Sequence, residues 1–257
     1  MIEPSEVLSV LDSMKRLIST LLLLTAPAFA LAERFESGTT QVPLLELYTS
    51  EGCSSCPPAD RWLSELIEDP DLWNDYVPVA LHVDYWDYLG WGDKFASAAF
   101  SDRQRDYRRS GYTSGVYTPG VILGGQEWRS WRRATTPPML ERPRVGSLAI
   151  SVENGEFEAS FSPEKTAEIA KPTLHVVQLG FGLRTQIKAG ENRGRELTHD
   201  FVVLDHQQFK ANRSQSWTGT LERPELVNGV GRVAVAAWIS DGGDPIPLQS
   251  VGGWINH

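Results

Sequence analysis

With 257 residues, 41% apolar and 22% charged, the chain has a globular composition and enough length for a buried core. A formal charge of −9 excludes a general nucleic-acid binder, which needs a basic face. Arg103, Arg105, Arg108 and Arg109 crowd one stretch, but they read as the solvated side of a helix.

The first segment reads as a secretory signal peptide over residues 1–32. Lys15-Arg16 precedes an apolar run, Leu17 to Leu24, broken only by Ser19 and Thr20. Ala28-Phe29-Ala30 and Ala30-Leu31-Ala32 both fit a small-x-small cleavage rule. Met14 reads as the true start, with residues 1–13 an over-long start upstream of it. The run is short for a membrane span, so a periplasmic or secreted protein without a stable span after cleavage is expected, the alternative being an uncleaved membrane anchor.

Val42 to Tyr48 reads as a mostly apolar strand, followed by a turn and by Cys53-Ser54-Ser55-Cys56. From Pro57 to Ile67 a helix is predicted, with prolines in its first turn and Trp62, Leu63, Leu66 and Ile67 on one face. A second strand follows from Val77 to Asp84, then an aromatic loop, Tyr85 to Gly92. Residues 93–109 read as a polar helix. Tyr117-Thr118-Pro119 leads into a strand, Gly120 to Leu123, and Gly124-Gly125 turns it toward Gln126-Glu127-Trp128. Alternating strands and helices imply an α/β unit.

A Pro-rich stretch near residues 135–145 reads as a boundary. Beyond it lie short turn-separated runs: 147–152, 157–161, 173–180, 184–187, 196–204, 215–220 and 232–239. That spacing predicts an antiparallel β-sandwich or barrel.

Cys53 and Cys56 are the chain's two cysteines. Two thiols cannot complete a structural zinc site, and in an exported protein they can pair. A helix N-terminus lowers a thiol pKa, and a partner three residues on can resolve a mixed disulfide. The spacing therefore points to thiol–disulfide exchange without a cofactor or metal, Cys53 attacking and Cys56 resolving.

Residues 42–131 resemble the thioredoxin superfamily. The segments 47–60 and 82–87, Arg103-Gln104-Arg105, Tyr117-Thr118-Pro119 and 190–195 (Gly-Glu-Asn-Arg-Gly-Arg) are similar to a secreted thioredoxin-like family of unassigned function. The resemblance implies an α/β thioredoxin-like domain over 33–134 and a β-sandwich-like domain over 146–257. It implies a cis Thr118-Pro119 bond beside the dithiol, with residue 118 presenting backbone to protein or small thiol/disulfide substrates. Tyr85 and Trp86 are expected on the substrate rim or packed under the following helix. Glu46 could serve as proton acceptor or face solvent, and Glu51 would oppose thiolate formation if close.

Three rivals stand beside this reading. The disulfide could be a plain staple, although closing so small a loop gains little entropy. The thiols could hold Cu(I) with a histidine, His82, His199 or His206. The C-terminal half could be a binding module, with Trp217, Trp238 and Trp254 lining a ligand face.

Overall fold

The computed structural model describes residues 32–165, 167, 169–221 and 232–255. Apart from Ala32, the segment read as a signal peptide lies outside the described residues. Among the described residues there are fourteen strands and two α-helices, with short 3-10 turns at Leu66–Glu68, Asp87–Leu89 and Arg129–Arg133.

β1 (Glu33–Glu36) precedes β2 (Leu44–Thr49), whose six residues are all buried. The continuous apolar run allows this, because both faces of β2 are covered. β3 (Val77–His82) runs parallel to β2 in the register Leu44↔Val77 to Thr49↔His82. β4 (Gly120–Leu123) pairs antiparallel with β2, and β5 (Gln126–Glu127) folds back on β4.

Helix α1 (Pro57–Glu65) starts where Pro57 and Pro58 occupy positions with no intrahelical N–H to lose. Trp62 and Leu63 are buried on its inner face. Trp62 packs edge-on against Trp128 and beside Trp131, and its indole N–H donates to the Ala134 carbonyl at 2.9 Å. Thr49 Oγ1 donates to Asp60 at 2.7 Å, tying that face of β2 to α1.

Helix α2 (Ala98–Arg109) begins later than the residue 93 expected. Ser97 accepts from the Ala99 N–H as its cap, and Asp93 turns its carboxylate inward instead of opening the helix. Glu46 and Tyr48 bond to Arg103 and Tyr107 of α2, directly or through one another. With side chains alternating along β2, α1 and α2 therefore cover opposite faces.

The remaining strands are β6 (Gly146–Glu153), β7 (Glu156–Pro163), β8 (Pro172–Gly180), β9 (Leu183–Gln186), β10 (Glu196–His199), β11 (Val202–Phe209), β12 (Ser216–Thr220), β13 (Val233–Asp241) and β14 (Gln249–Ile255). The segment 196–204, read as one strand, is two. Its break falls at Asp200-Phe201, where Phe201 takes a left-handed φ of 56°.

The fold-class expectation is overturned here. An α/β thioredoxin-like domain followed by a separate β-sandwich does not describe the chain, which is mostly strand. One mixed eight-stranded sheet runs β14-β13-β8-β11-β3-β2-β4-β5, joining strands from both halves of the sequence. The junction is parallel pairing of β11 with β3, Val202 opposite Ala80, with the Ala80 N–H donating to the Phe201 carbonyl at 2.8 Å. The other sheets are a four-stranded one, β1-β6-β7-β12, and a β9–β10 ribbon.

All nine residues of β8 are buried, because both its faces are covered. Val177 and Leu179 join the core shared with β2, β3 and the helices; Leu174 and Val176 join the core beneath the four-stranded sheet. β1 closes that second core over β14: a Cβ on Gly253 would lie 2.0 Å from the Phe35 ring, so only glycine fits. Among the described residues, no helix is long and apolar enough to cross a membrane.

Candidate functional site: the Cys53–Cys56 turn

Cys53 and Cys56 form a disulfide in the turn between β2 and α1. Cys56 occupies the helix N-cap, its carbonyl accepting from the N–H groups of Ala59 and Asp60. Cys53 sits in the turn before it, its carbonyl accepting from the Cys56 N–H at 3.2 Å. The helix end expected to act on Cys53 thus lies nearer Cys56. Ser54 and Ser55 are exposed, whereas Cys53 is 1% and Cys56 0% exposed. Ser55 Oγ is 3.3 Å from the Cys53 sulfur.

The loop between β9 and β10 straps the turn. The fully buried Asn192 donates through Nδ2 to the carbonyls of Glu51 at 2.8 Å and Cys53 at 2.9 Å. Arg195 donates to Asn192 Oδ1 at 3.0 Å, fixing that amide. Glu191 accepts from the Ser54 N–H at 3.0 Å, which holds its carboxyl below its usual value. Asn192 is buried although its neighbours Glu191, Arg193 and Gly194 are exposed.

On another side the aromatic loop packs directly on the turn. A Cβ on Gly52 would come 3.0 Å from Trp86 Cβ, so this close approach depends on glycine. Trp86 donates its indole N–H to Thr118 Oγ1 at 2.8 Å, and the Thr118-Pro119 bond is cis. Tyr85 donates to Gln104 at 3.0 Å, and burial pushes its hydroxyl up to about 12. Gly52, next to Cys53, thus packs on Trp86, and Trp86 is tied to Thr118 before the cis-proline, while Tyr85 bonds to Gln104 of α2. A hollow of about 310 Å³ opens beside Pro119, lined also by Tyr117, Arg129, Trp131 and Arg132.

Behind the turn lies a buried cluster of ionisable groups. His82 Nδ1 is 2.7 Å from Asp93 Oδ2, which also accepts from the Glu51 N–H at 2.8 Å. Burial works against charge on both partners, but their pairing outweighs it: His82 is raised and Asp93 lowered. His199 of β10 stands between Glu51 and Asp60, with Nε2 3.5 Å from Glu51 Oε1 and Nδ1 3.8 Å from Asp60 Oδ2. Burial raises the Asp60 carboxyl, while His199 and His82 hold it down.

Glu46 is elsewhere. It is fully buried on the α2 face of β2, receives two bonds from Arg103 at 2.7 and 3.0 Å, and accepts from Tyr107 at 2.6 Å. Arg103 is thus no solvated helix residue. On the same side His175 bonds to His206 and both stack on Trp238. Burial and the nearby Arg103 depress both histidines, His206 to about 4. Trp217 and Trp238 are buried in the core. Among the described residues, no group of three or more His, Cys, Asp or Glu side chains is placed to hold a metal ion.

Asp60, Asp93, Glu191 and Asn192 are the residues sequence reasoning missed. Asp60 had a local signal, one helical turn after Cys56. Asn192 lies 139 residues from Cys53, and nothing local joins them.

The family model for a protein of unknown function, DUF1223, matches residues 44–240, from β2 to β13. The chain belongs to the DUF1223 family. Among solved structures it is similar to protein AGR_C_4864 from Agrobacterium tumefaciens, at 25% identity and a TM-score of 0.55, over 84% of this chain and 98% of that one. A second similarity, at 11% identity and a TM-score of 0.48, is to HBP35 of Porphyromonas gingivalis, over 84% of this chain and 76% of that one. No curated protein matches the chain. The DUF1223 match spans the dithiol turn, the strap and the buried cluster alike.

Proposed function

We propose that this DUF1223 protein is an exported thiol–disulfide exchange protein, with Cys53 attacking and Cys56 resolving. The observation that carries the reading is the chain of contacts leading from the dithiol turn to the cis-proline: Gly52, beside Cys53, packs on Trp86, and Trp86 bonds to Thr118 before Pro119. Exchange needs a nucleophile beside a surface that aligns the incoming sulfur. The hollow beside Pro119 supplies a place for the substrate chain, with Arg129 and Arg132 at its rim. The N-capping position of Cys56 favours it as the leaving thiolate, because the α1 N-terminus stabilises negative charge.

A second reading is favoured by the burial of both sulfurs. In it the disulfide is a staple that shapes the turn gripped by Asn192 and Glu191. Exchange with glutathione disulfide or dithiothreitol separates the two. For a catalyst, Cys53→Ser abolishes exchange, whereas Cys56→Ser leaves a protein that accumulates as a mixed disulfide. A staple exchanges slowly in every form, and its loss registers as lowered stability.

A further inference from the structure

We propose that the hollow beside Pro119 selects acidic substrates, seating an extended segment of a partner protein with aspartate or glutamate beside its reacting cysteine. Arg132 takes the carboxylate. The inference rests on the exchange reading above and adds the substrate class.

The hollow, about 310 Å³, is lined by Tyr117, Pro119, Arg129, Trp131 and Arg132, so the charge on its walls is basic. Its two arginines are in different states. Arg129 donates through Nε to Glu127 Oε1 at 3.1 Å and also to Ser114 Oγ, with its guanidinium 5.7 Å from the centre of the Tyr117 ring. Glu127 in turn accepts from the Ser114 N–H at 3.1 Å, the Ser114 hydroxyl at 2.9 Å and the Tyr117 hydroxyl. That carboxylate is fully engaged and neutralises Arg129.

Arg132 has no such partner. Its guanidinium stands over the Trp131 ring at 4.5 Å, and no carboxylate of the described residues pairs with it or with the exposed Arg133 beside it. An arginine held on an aromatic face keeps its N–H fork for a planar carboxylate, which it can grip bidentately. Trp131 is itself buried, with Trp62 of α1 packed beside it at a centroid distance of 5.4 Å. The arginine is therefore mounted on an indole held by the helix that Cys56 caps. A second path joins the hollow to the turn, from Pro119 through Thr118 and Trp86 to Gly52.

Charge decides the kind of partner. The chain carries −9 overall, so its surface as a whole favours cations. Residues 128–134 reverse that locally, with Arg129, Arg132 and Arg133 and no acidic side chain. A mouth of this sign draws acidic chains and disfavours basic ones, an effect that salt screens.

Apolar positions continue the surface past the hollow, which favours a chain segment over a single small acid. The described residues leave four large hydrophobic side chains exposed, Tyr88, Val116, Met139 and Leu140. Exposed apolar residues are ordinary when scattered singly. Val116, however, directly precedes Tyr117 of the hollow, and Tyr88 belongs to the aromatic loop whose Trp86 packs on Gly52.

The test uses the oxidised full chain and three monothiol peptides of equal length, the cysteine flanked by glutamates, glutamines or lysines. Reduction of the Cys53–Cys56 disulfide is followed. Flanking charge shifts a peptide's own thiol pKa, so each rate is referred to the thiolate concentration. The glutamate peptide should react about tenfold faster than the lysine peptide at low ionic strength, with the gap largely closed at about 1 M salt. Arg132→Glu should remove or reverse the preference, and Arg132→Gln should reduce it. The same peptides with serine for cysteine, followed by fluorescence anisotropy, read the surface without the chemistry and should bind in the same order. Equal rates and equal binding, a preference for lysine, or a preference that Arg132→Glu leaves untouched overturns the inference. Glutathione, a small acidic thiol, reacting as fast as the glutamate peptide would overturn the extended segment as occupant. A wild-type disulfide that dithiothreitol does not reduce overturns the exchange reading instead, and the serine peptides then decide the surface alone.

Discussion

The Asn192 side-chain amide donates to the main-chain carbonyl of Cys53 at 2.9 Å, linking the β9–β10 loop to the dithiol turn across 139 residues of sequence. The same nitrogen holds the Glu51 carbonyl, so one amide closes the turn from behind while Glu191 closes it in front through Ser54. Replacing Asn192 by alanine leaves two buried carbonyls without that donor. Unfolding of the oxidised protein in denaturant should show a loss of about 1–3 kcal/mol. Reduction by dithiothreitol should be faster, because the strap no longer seals the sulfurs. Slower or unchanged reduction would show that the strap does not control access.

The Arg103–Glu46 pair makes a different demand. Glu46 is wholly buried, and its carboxylate depends on Arg103 and Tyr107. Arg103→Ala strands that charge in the core and should cost about 3–5 kcal/mol by chemical denaturation. Arg103→Met combined with Glu46→Leu should recover much of the loss. Failure of the double variant to recover would show that the two tyrosine hydroxyls, not the ion pair, dominate the site.

Trp62→Ala removes the indole that α1 lays against Trp128 and Trp131 and the bond to the Ala134 carbonyl. A loss of about 3–5 kcal/mol is expected from the cavity. The effect should appear in thermal and chemical unfolding, and the far-ultraviolet spectrum of the remaining folded protein should be unchanged.

Acid should weaken the fold through His206. Its folded-state value, about 4, lies below the ordinary 6.5, mainly because the ring is buried. Below about pH 6.5 the unfolded chain binds a proton that the folded one refuses, so stability falls with pH until about pH 4 and then levels. The contribution of His206 is roughly 3 kcal/mol, and His206→Gln should reduce the acid loss, with the similarly depressed His175 carrying what remains. His82, paired with Asp93, contributes with the opposite sign over a higher window, above about pH 6.5. His82 is raised, so its stabilisation is complete below its unfolded value and is lost as pH climbs through the folded one. Denaturation midpoints of the wild type, His206→Gln and His82→Gln between pH 4 and 9 separate the two.

The local features of the site were legible because they are local. The apolar run before Cys53, the prolines opening α1 and the Gly124-Gly125 hairpin all carry their geometry in adjacent residues, and β2, α1 and β4 fall close to where periodicity puts them. The sandwich expectation failed for a physical reason. The strands beyond residue 145 look like half-exposed sandwich strands, but β8 and β13 are covered on both faces, and β11 joins β3 in parallel across more than a hundred residues. No local period reports a pairing of that kind. The same distance hid the contacts of Asn192 and His199, both of which meet the dithiol turn only once the chain has folded.

The central claim is that the Cys53–Cys56 disulfide is a working redox couple. The most direct test is its reduction potential, measured by equilibrating the protein against glutathione or dithiothreitol. A value between about −270 and −120 mV, the range of exchange catalysts, is the expected result. A value below about −300 mV would contradict the claim and make the disulfide a structural staple of the turn.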